Sequence, residues 1–243
     1  MIFLYILLGL VGLVLLYILF LFVCGWFVDT SREYETHNGF YRWVLYSFTA
    51  IGMFFVRIKV HVSGMEHLPK DTKVLFVSNH RSNYDPIVTW QVLKPYNIAF
   101  VSKASNFKIP ALGRIIRRCC FMTIDRDNPR NAIRTIQKAA GMLSSGVFSI
   151  GIYPEGTRNY GEGLLPFHNG VFKIAQKAGA PIVVLTVSGA EKIHKNYLRR
   201  RTDVYLDIIR CIPAEEVAAT KTDILGQQIR QDMENNLKKR ENV

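Results

Sequence analysis

The sequence predicts an α/β domain, a mostly parallel sheet flanked by helices, behind an N-terminal membrane-associated helical hairpin. Three observations carry this. From about residue 58 onward, short apolar runs alternate with amphipathic stretches of helical length, the pattern of strands joined by crossover helices. No charged side chain occurs from Met1 to Val28. Polar clusters follow the apolar runs, at the strand ends where an open α/β sheet places its ligands.

The uncharged N-terminal run is long enough for a helix of about 42 Å, more than the roughly 30 Å hydrocarbon core of a bilayer. It lacks a basic n-region and a small-residue cleavage site, so it reads as a retained anchor rather than a cleaved signal peptide. A polar stretch, Asp29 to Asn38, leads to a second apolar run from Trp43 to Val56, closed by Arg57 and Lys59. About 14 residues are short for a span, and the aromatics Tyr41, Trp43, Tyr46, Phe48, Phe54 and Phe55 suit a membrane interface. Residues 1–57 are therefore read as the hairpin and 58–243 as the α/β domain. Strands are expected at Ile58–Val62, Val74–Ser78, Ile98–Ser102, Cys120–Ile124, Val147–Tyr153, Ile182–Val187 and Val204–Cys211. Helices are expected at Pro86–Leu93, Ala111–Arg118, Asn131–Ser144, Asn169–Ala178 and Ile224–Lys239. Ile133, Ile136, Ala140 and Leu143 repeat at helical spacing, with Asp127 and Asn128 as candidate caps.

With 243 residues, 49% of them hydrophobic, the chain can bury one full core and still carry an appendage. Its net charge is +12, and residues 61–200, with 20 basic and 8 acidic side chains, hold that whole excess. A basic face meets phosphate, in nucleic acid, anionic lipid or a small phosphorylated molecule. The four cysteines, Cys24, Cys119, Cys120 and Cys211, have no C-x-x-C spacing, which argues against a disulfide framework or a zinc site and fits a reducing compartment.

The chemistry is concentrated in two clusters. Asn79-His80-Arg81-Ser82-Asn83-Tyr84-Asp85-Pro86 follows the apolar run Val74–Val77. A neutral imidazole is the commonest general base near pH 7, and a carboxylate that accepts from one ring nitrogen fixes the tautomer. His80 and Asp85 are the candidate pair. No G-x-S-x-G elbow accompanies them, so an acyl-serine route lacks support, and a base without an enzyme nucleophile implies a nucleophile on the substrate. The second cluster is Tyr153-Pro154-Glu155-Gly156-Thr157-Arg158. Arg158, and Arg126 after Phe121-Met122-Thr123-Ile124-Asp125, each offer a planar fork for phosphate. Gly156 permits close backbone approach, Thr157 can donate a hydrogen bond, and Glu155 can orient Arg158 or bind a hydroxyl. No phosphate-binding P-loop, dinucleotide fingerprint or metal-binding H-E-x-x-H motif occurs.

Together these residues resemble the glycerolipid acyltransferase family, most closely its bacterial 1-acyl-sn-glycerol-3-phosphate acyltransferases. The N-H-x4-D block is Asn79-His80…Asp85, the arginine-ended block is Phe121 to Arg126, and P-E-G-T-R is Pro154 to Arg158. The proline-containing strand is Ala180-Pro181-Ile182-Val183-Val184, and softer matches are Val62 to Pro69 and Ser102-Lys103…Phe107-Lys108-Ile109-Pro110. The resemblance runs from about residue 58 to 212. Asn159 stands where the family has Ser, and Phe167-His168-Asn169-Gly170 where a lysine commonly precedes the glycine, which leaves His168 as a possible substitute.

The resemblance implies that His80, held by Asp85, deprotonates the sn-2 hydroxyl of a lysophosphatidic acid, and that the alkoxide attacks an acyl thioester on coenzyme A or acyl carrier protein. Arg126, Glu155, Gly156, Thr157, Arg158 and Lys103 are the implied substrate-binding set. No metal or resident cofactor is implied, and no nucleic acid. The implied place is the cell membrane, with the active site on the cytoplasmic side. Rival readings are a relative acting on glycerol 3-phosphate, another lysophospholipid or an aminolipid, a thioester hydrolase, and a non-catalytic phosphate-binding module.

Overall fold

A computed structural model describes residues 1–125, 128–197 and 199–241. In chain order the elements are α1 (Ile2–Trp26), α2 (Gly39–Phe55), β1 (Ile58–Ser63), β2 (Leu75–Ser78), α3 (Asp85–Val92), β3 (Ala99–Lys103), α4 (Leu112–Arg118), β4 (Met122–Ile124), α5 (Pro129–Ser144), β5 (Ile150–Ile152), α6 (Lys173–Ala178), β6 (Ile182–Ser188), α7 (Ile193–Asn196), β7 (Thr202–Ile212), α8 (Ala214–Ala219) and α9 (Thr222–Glu241). All seven expected strands form. They make one sheet in the order β1-β7-β6-β2-β5-β3-β4. Every neighbouring pair is parallel except β6 with β7.

The central strands are apolar because both of their faces are covered. Leu75 and Val77 of β2 point to one side with Ile150, Ile152, Ile182 and Val184, against Leu143 of α5, Ile174 of α6 and Ile229 of α9. Phe76, Val183 and Leu185 point to the other side, against α2, α3 and α4. This is the two-residue alternation of a pleated strand read on both faces at once. α5 starts at Pro129, two residues before the expected start, because the Asn128 side chain accepts from the amides of Arg130 and Asn131 and proline is favoured at the first helical position. Asp127, the other candidate cap, lies outside the described residues.

α1 is exposed along almost its whole length, and its most apolar window has no buried residue. It is long and apolar enough to cross a membrane by length and composition, and it associates the chain with one. α2 has two characters. Val44, Leu45, Tyr46 and Thr49 are buried, while Phe40, Trp43, Ile51, Phe54 and Phe55 are exposed. Its Arg42 is buried too, donating to the Ile98 carbonyl (3.0 Å) with its guanidinium 4.4 Å from the Trp90 ring centroid. α1 and α2 touch through Phe20 and Trp43 and through a Tyr41 hydroxyl that donates to the Cys24 carbonyl (3.0 Å). Cys119 and Cys120 are buried, and burial pushes their thiols up to about 12 and about 11, far from reactive thiolates.

Gly151, in β5, sits opposite Phe100 of β3. A Cβ there would lie 2.4 Å from Phe100 Cε1 and 3.0 Å from Ile98 Cγ2, so the bare strand is what lets the Phe100 ring lie flat across it. Gly151→Ala is expected to cost about 1–3 kcal/mol through overpacking. In detergent, the thermal-unfolding midpoint should fall by several degrees, at about 2–4 °C per kcal/mol.

Candidate active site

Because β6, β2, β5, β3 and β4 are adjacent and parallel, their carboxyl ends open on one edge of the sheet. His80 lies two residues past β2, Glu155 three past β5, and Lys103 ends β3. Clusters 75 residues apart in sequence thus become neighbours. Arg126, two residues past β4, lies outside the described residues.

Asp85 is the first residue of α3 and is fully buried. Its Oδ2 accepts from three donors: the His80 ring at Nδ1 (2.9 Å) and the backbone amides of Arg81 and Ser82 (2.7 Å each). Its Oδ1 is buried with no partner among the described residues. Burial raises the Asp85 carboxyl above its ordinary value, and the bonds from His80, Ser82 and Arg81 offset this only in part. The network assigns the ring proton to Nδ1, toward the carboxylate. Nε2 then carries the lone pair, and among the described residues it has no protein partner.

The loop bearing His80 is pinned to the second cluster at both ends of one residue. His80 N–H donates to Glu155 Oε1 (2.7 Å), and the His80 carbonyl accepts from Asn159 N–H (2.7 Å). Glu155 Oε2 accepts from Leu165 N–H (2.8 Å), so both oxygens are engaged, and the side chain is 2% exposed. Glu155 was expected to touch substrate or orient Arg158. Its carboxylate is turned into the loops and braces them, since two part-buried backbone amides donate to it, and among the described residues it makes no hydrogen bond to Arg158. Burial is also the main reason its carboxyl is raised.

A cavity of about 540 Å³ opens beside the dyad, lined by His80, Lys103, Gly156, Thr157, Arg158 and His168. Four members of the expected substrate-binding set therefore share it: Lys103, Gly156, Thr157 and Arg158. Gly156 adopts φ +72°, the left-handed turn that glycine takes without strain. Arg158 and Lys103 have no carboxylate partner among the described residues. The Arg158 guanidinium lies over the Tyr160 ring, 5.3 Å from its centroid. Much of the remaining lining is apolar, with Leu45 and Phe48 from α2, Leu112 and Ile116 from α4, and Ile109 and Phe121.

Sequence reasoning passed over three residues. Tyr153 stacks on His80 with centroids 4.3 Å apart and planes 26° from parallel. Its position immediately before the Pro154–Arg158 cluster and two residues after Gly151 was the available signal. Asn159, noted from the sequence only as standing where the family has Ser, is buried and shapes the loop: its Nδ2 donates to the Gly163 carbonyl and its Oδ1 accepts from Gly161 N–H (2.8 Å each). Tyr160 lines the cavity and backs Arg158.

The sequence model of the family named Acyltransferase matches residues 59–188, more than half of the chain. This protein belongs to that acyltransferase family. A 1-acyl-sn-glycerol-3-phosphate acyltransferase of Haemophilus influenzae is 35% identical over 138 residues, covering 54% of this chain and 57% of that protein. The human 1-acyl-sn-glycerol-3-phosphate acyltransferase alpha is 27% identical over 240 residues, covering 88% and 84%. This chain thus spans little more than half the length of the bacterial relative. Among solved structures, the 1-acyl-sn-glycerophosphate acyltransferase PlsC of Thermotoga maritima superposes with a TM-score of 0.67 at 24% identity, over 83% of this chain and 81% of that one. That likeness establishes a shared fold.

In this acyltransferase the matched region contains the dyad, the Glu155 brace and the cavity cations. The arrangement can take a proton at His80 Nε2, hold an anion at Arg158 and Lys103, and accommodate an apolar chain along the wall built by α2 and α4. Glu155→Gln leaves one acceptor where two amides need one each. It is expected to destabilise the chain by about 1–3 kcal/mol and to lower kcat by up to about a hundredfold through displacement of His80, with KM changed far less. Steady-state kinetics and thermal unfolding on the same preparation check this.

Proposed function

We propose that this chain transfers a fatty acyl group from an acyl thioester, carried by coenzyme A or acyl carrier protein, to the sn-2 hydroxyl of 1-acyl-sn-glycerol 3-phosphate, giving phosphatidic acid. The observation that carries the reading is a histidine oriented by a buried carboxylate, with no enzyme hydroxyl or thiol on its free nitrogen among the described residues, at a cavity lined by both cations and apolar side chains. The relatives named above, which are acyltransferases of that substrate by name, support the same acceptor.

The substrate hydroxyl gives its proton to His80 Nε2 as its oxygen bonds to the thioester carbonyl carbon. The tetrahedral adduct collapses with cleavage of the C–S bond, and the imidazolium returns the proton to the departing thiolate. Asp85 stabilises the imidazolium between these steps, the part a triad carboxylate plays. Arg158 and Lys103, together with Arg126, hold the phosphate, and Thr157 adds a donor. The acceptor is itself a membrane lipid, and a wall built partly by α2 lets its acyl chain reach the dyad from the bilayer. The basic segment then faces the cytoplasm, where the thioester donors are.

Thioester release by the full chain in detergent, with a panel of lyso-acceptors and mass analysis of the product, tests the reading. His80→Ala is expected to abolish transfer, and Asp85→Asn to lower kcat by roughly a thousandfold or more through the wrong tautomer. Arg158→Ala should raise KM for a phosphorylated acceptor by about tenfold or more, the loss of a charge-assisted hydrogen-bonded contact, and leave KM for an unphosphorylated one unchanged. Fatty acid released without any acceptor would identify a hydrolase instead, and normal turnover by His80→Ala would sink the assignment.

Asp85 also makes a stability prediction. Its carboxyl is raised in the folded chain, so folding favours its protonated form, and ionised Asp85 opposes folding. That penalty is absent below its unfolded value of about 3.9 and grows as pH rises above it. Asp85→Asn is expected to raise the unfolding midpoint at neutral pH and to lose that gain near pH 3.5. A pH series of melting curves for both chains reads this.

A further inference from the structure

We propose that Tyr153 is the positioning residue for His80: its ring seats the imidazole against Asp85 and stabilises the imidazolium that forms when the base takes a substrate proton. The proposal deepens the acyl-transfer reading and rests on it for the identity of that proton.

The geometry is a column of three rings. His80 and Tyr153 stack at 4.3 Å and 26°, and the other neighbour of Tyr153 is Phe100, at 6.2 Å and 9°. The column is built by strand register. Phe100 of β3 pairs with Gly151 of β5, and Tyr153 lies two residues further along, on the same side of the strand. A bare glycine lets the Phe100 ring lie over β5 and support the Tyr153 ring from below. Tyr153 in turn leaves the imidazole one flat seat, in which Nδ1 meets Asp85 Oδ2 and Nε2 is left for the cavity.

A ring under an imidazole has little electrostatic effect while the imidazole is neutral. Once the imidazole is protonated, the negative face of the ring attracts it. The contact is therefore stronger when the proton has been transferred than before, which is the condition for an interaction to accelerate a step. The Tyr153 hydroxyl is buried near Thr89 and Asp85, and burial together with the Asp85 charge holds it well above the ordinary phenol value. It stays a neutral phenol and donates no proton to the reaction. The ring is the working part.

Among the described residues, the other charged or titratable groups near His80 are Arg81 beside it in the chain, Asp85 from α3, Glu155 from the loop after β5, and Lys103, Arg158, Tyr160 and His168 of the cavity lining. A substitution at Tyr153 leaves all of them in place, so a change in His80 titration reports on the ring.

The test compares Tyr153→Phe and Tyr153→Leu in the full chain in detergent. Tyr153→Phe keeps the ring and is expected to retain the acid limb of the kcat/KM profile. Tyr153→Leu removes the attraction for the imidazolium, so the acid limb should move to lower pH by about half a unit. Its kcat should fall about tenfold with KM within about twofold. The same half-unit fall is expected in the His80 titration followed by NMR of histidine-labelled chain, with the signal assigned by its absence from His80→Ala. If Tyr153→Leu titrates as the wild type, or Tyr153→Phe loses as much as Tyr153→Leu, the proposal is overturned. If the wild type acylates no lysolipid while the NMR midpoint still falls, the positioning role stands and the acceptor assignment falls.

Discussion

The backbone of one residue, His80, is held from both sides, and the site depends on that clamp. Its N–H is taken by Glu155 and its carbonyl by the amide of Asn159. β2 and β5 are parallel neighbours, so the two loops leave the sheet side by side. Without a tie they would still be free to separate. A buried carboxylate accepting from two amides is a strong tie, because each amide left unpaired would cost about 1–3 kcal/mol. The clamp ties the loop that carries the His80 ring to the loop that carries Arg158.

The N-terminal hairpin is built into this site. α2 buries Val44, Leu45 and Tyr46 in the core, exposes Phe54 and Phe55, and lends Leu45, Phe48 and Thr49 to the cavity wall. One helix thus has a buried face, an exposed aromatic face and a face on the cavity. The buried Arg42 makes this docking specific. Its guanidinium sits against Trp90, which Tyr46 stacks upon at 4.4 Å, and its bond to the Ile98 carbonyl reaches the start of β3. An arginine in an apolar helix would be a burden in lipid. Here it turns that face of the helix toward protein.

The charge of +12 follows the same division. Three C-terminal arginines are answered within the fold, Arg210 by Asp232, Arg230 by Glu234 and Arg240 by Asp207. Arg158 and Lys103 at the cavity have no such partners among the described residues. Arg158 is held instead by the face of Tyr160, a neutral support that leaves its hydrogen-bonding fork free for an anion.

Much of this was legible in the chain itself. The central strands β2, β5 and β6 are short and apolar, and they appear where expected because strands covered on both faces need no partner to be recognised. His80 and Asp85 were legible because the pair is local: five residues, one loop and one helix start suffice to bring them within 2.9 Å. The cavity cations were legible as residue types at strand ends. The bracing role of Glu155 was not legible, for a physical reason. A carboxylate in a polar cluster looks the same in sequence whether it faces a substrate or two amides, and the amides that claim it belong to His80 and Leu165. Tyr153 and Gly151 were silent for the same reason, since a ring stack is defined by the register of β3 on β5. The sequence alone determined the fold class, the long apolar N-terminal helix and the His80–Asp85 pairing, all set by local pattern. Only the tertiary structure decided which polar groups face the cavity and which brace it, because that depends on strand order and register, which no run of adjacent residues encodes.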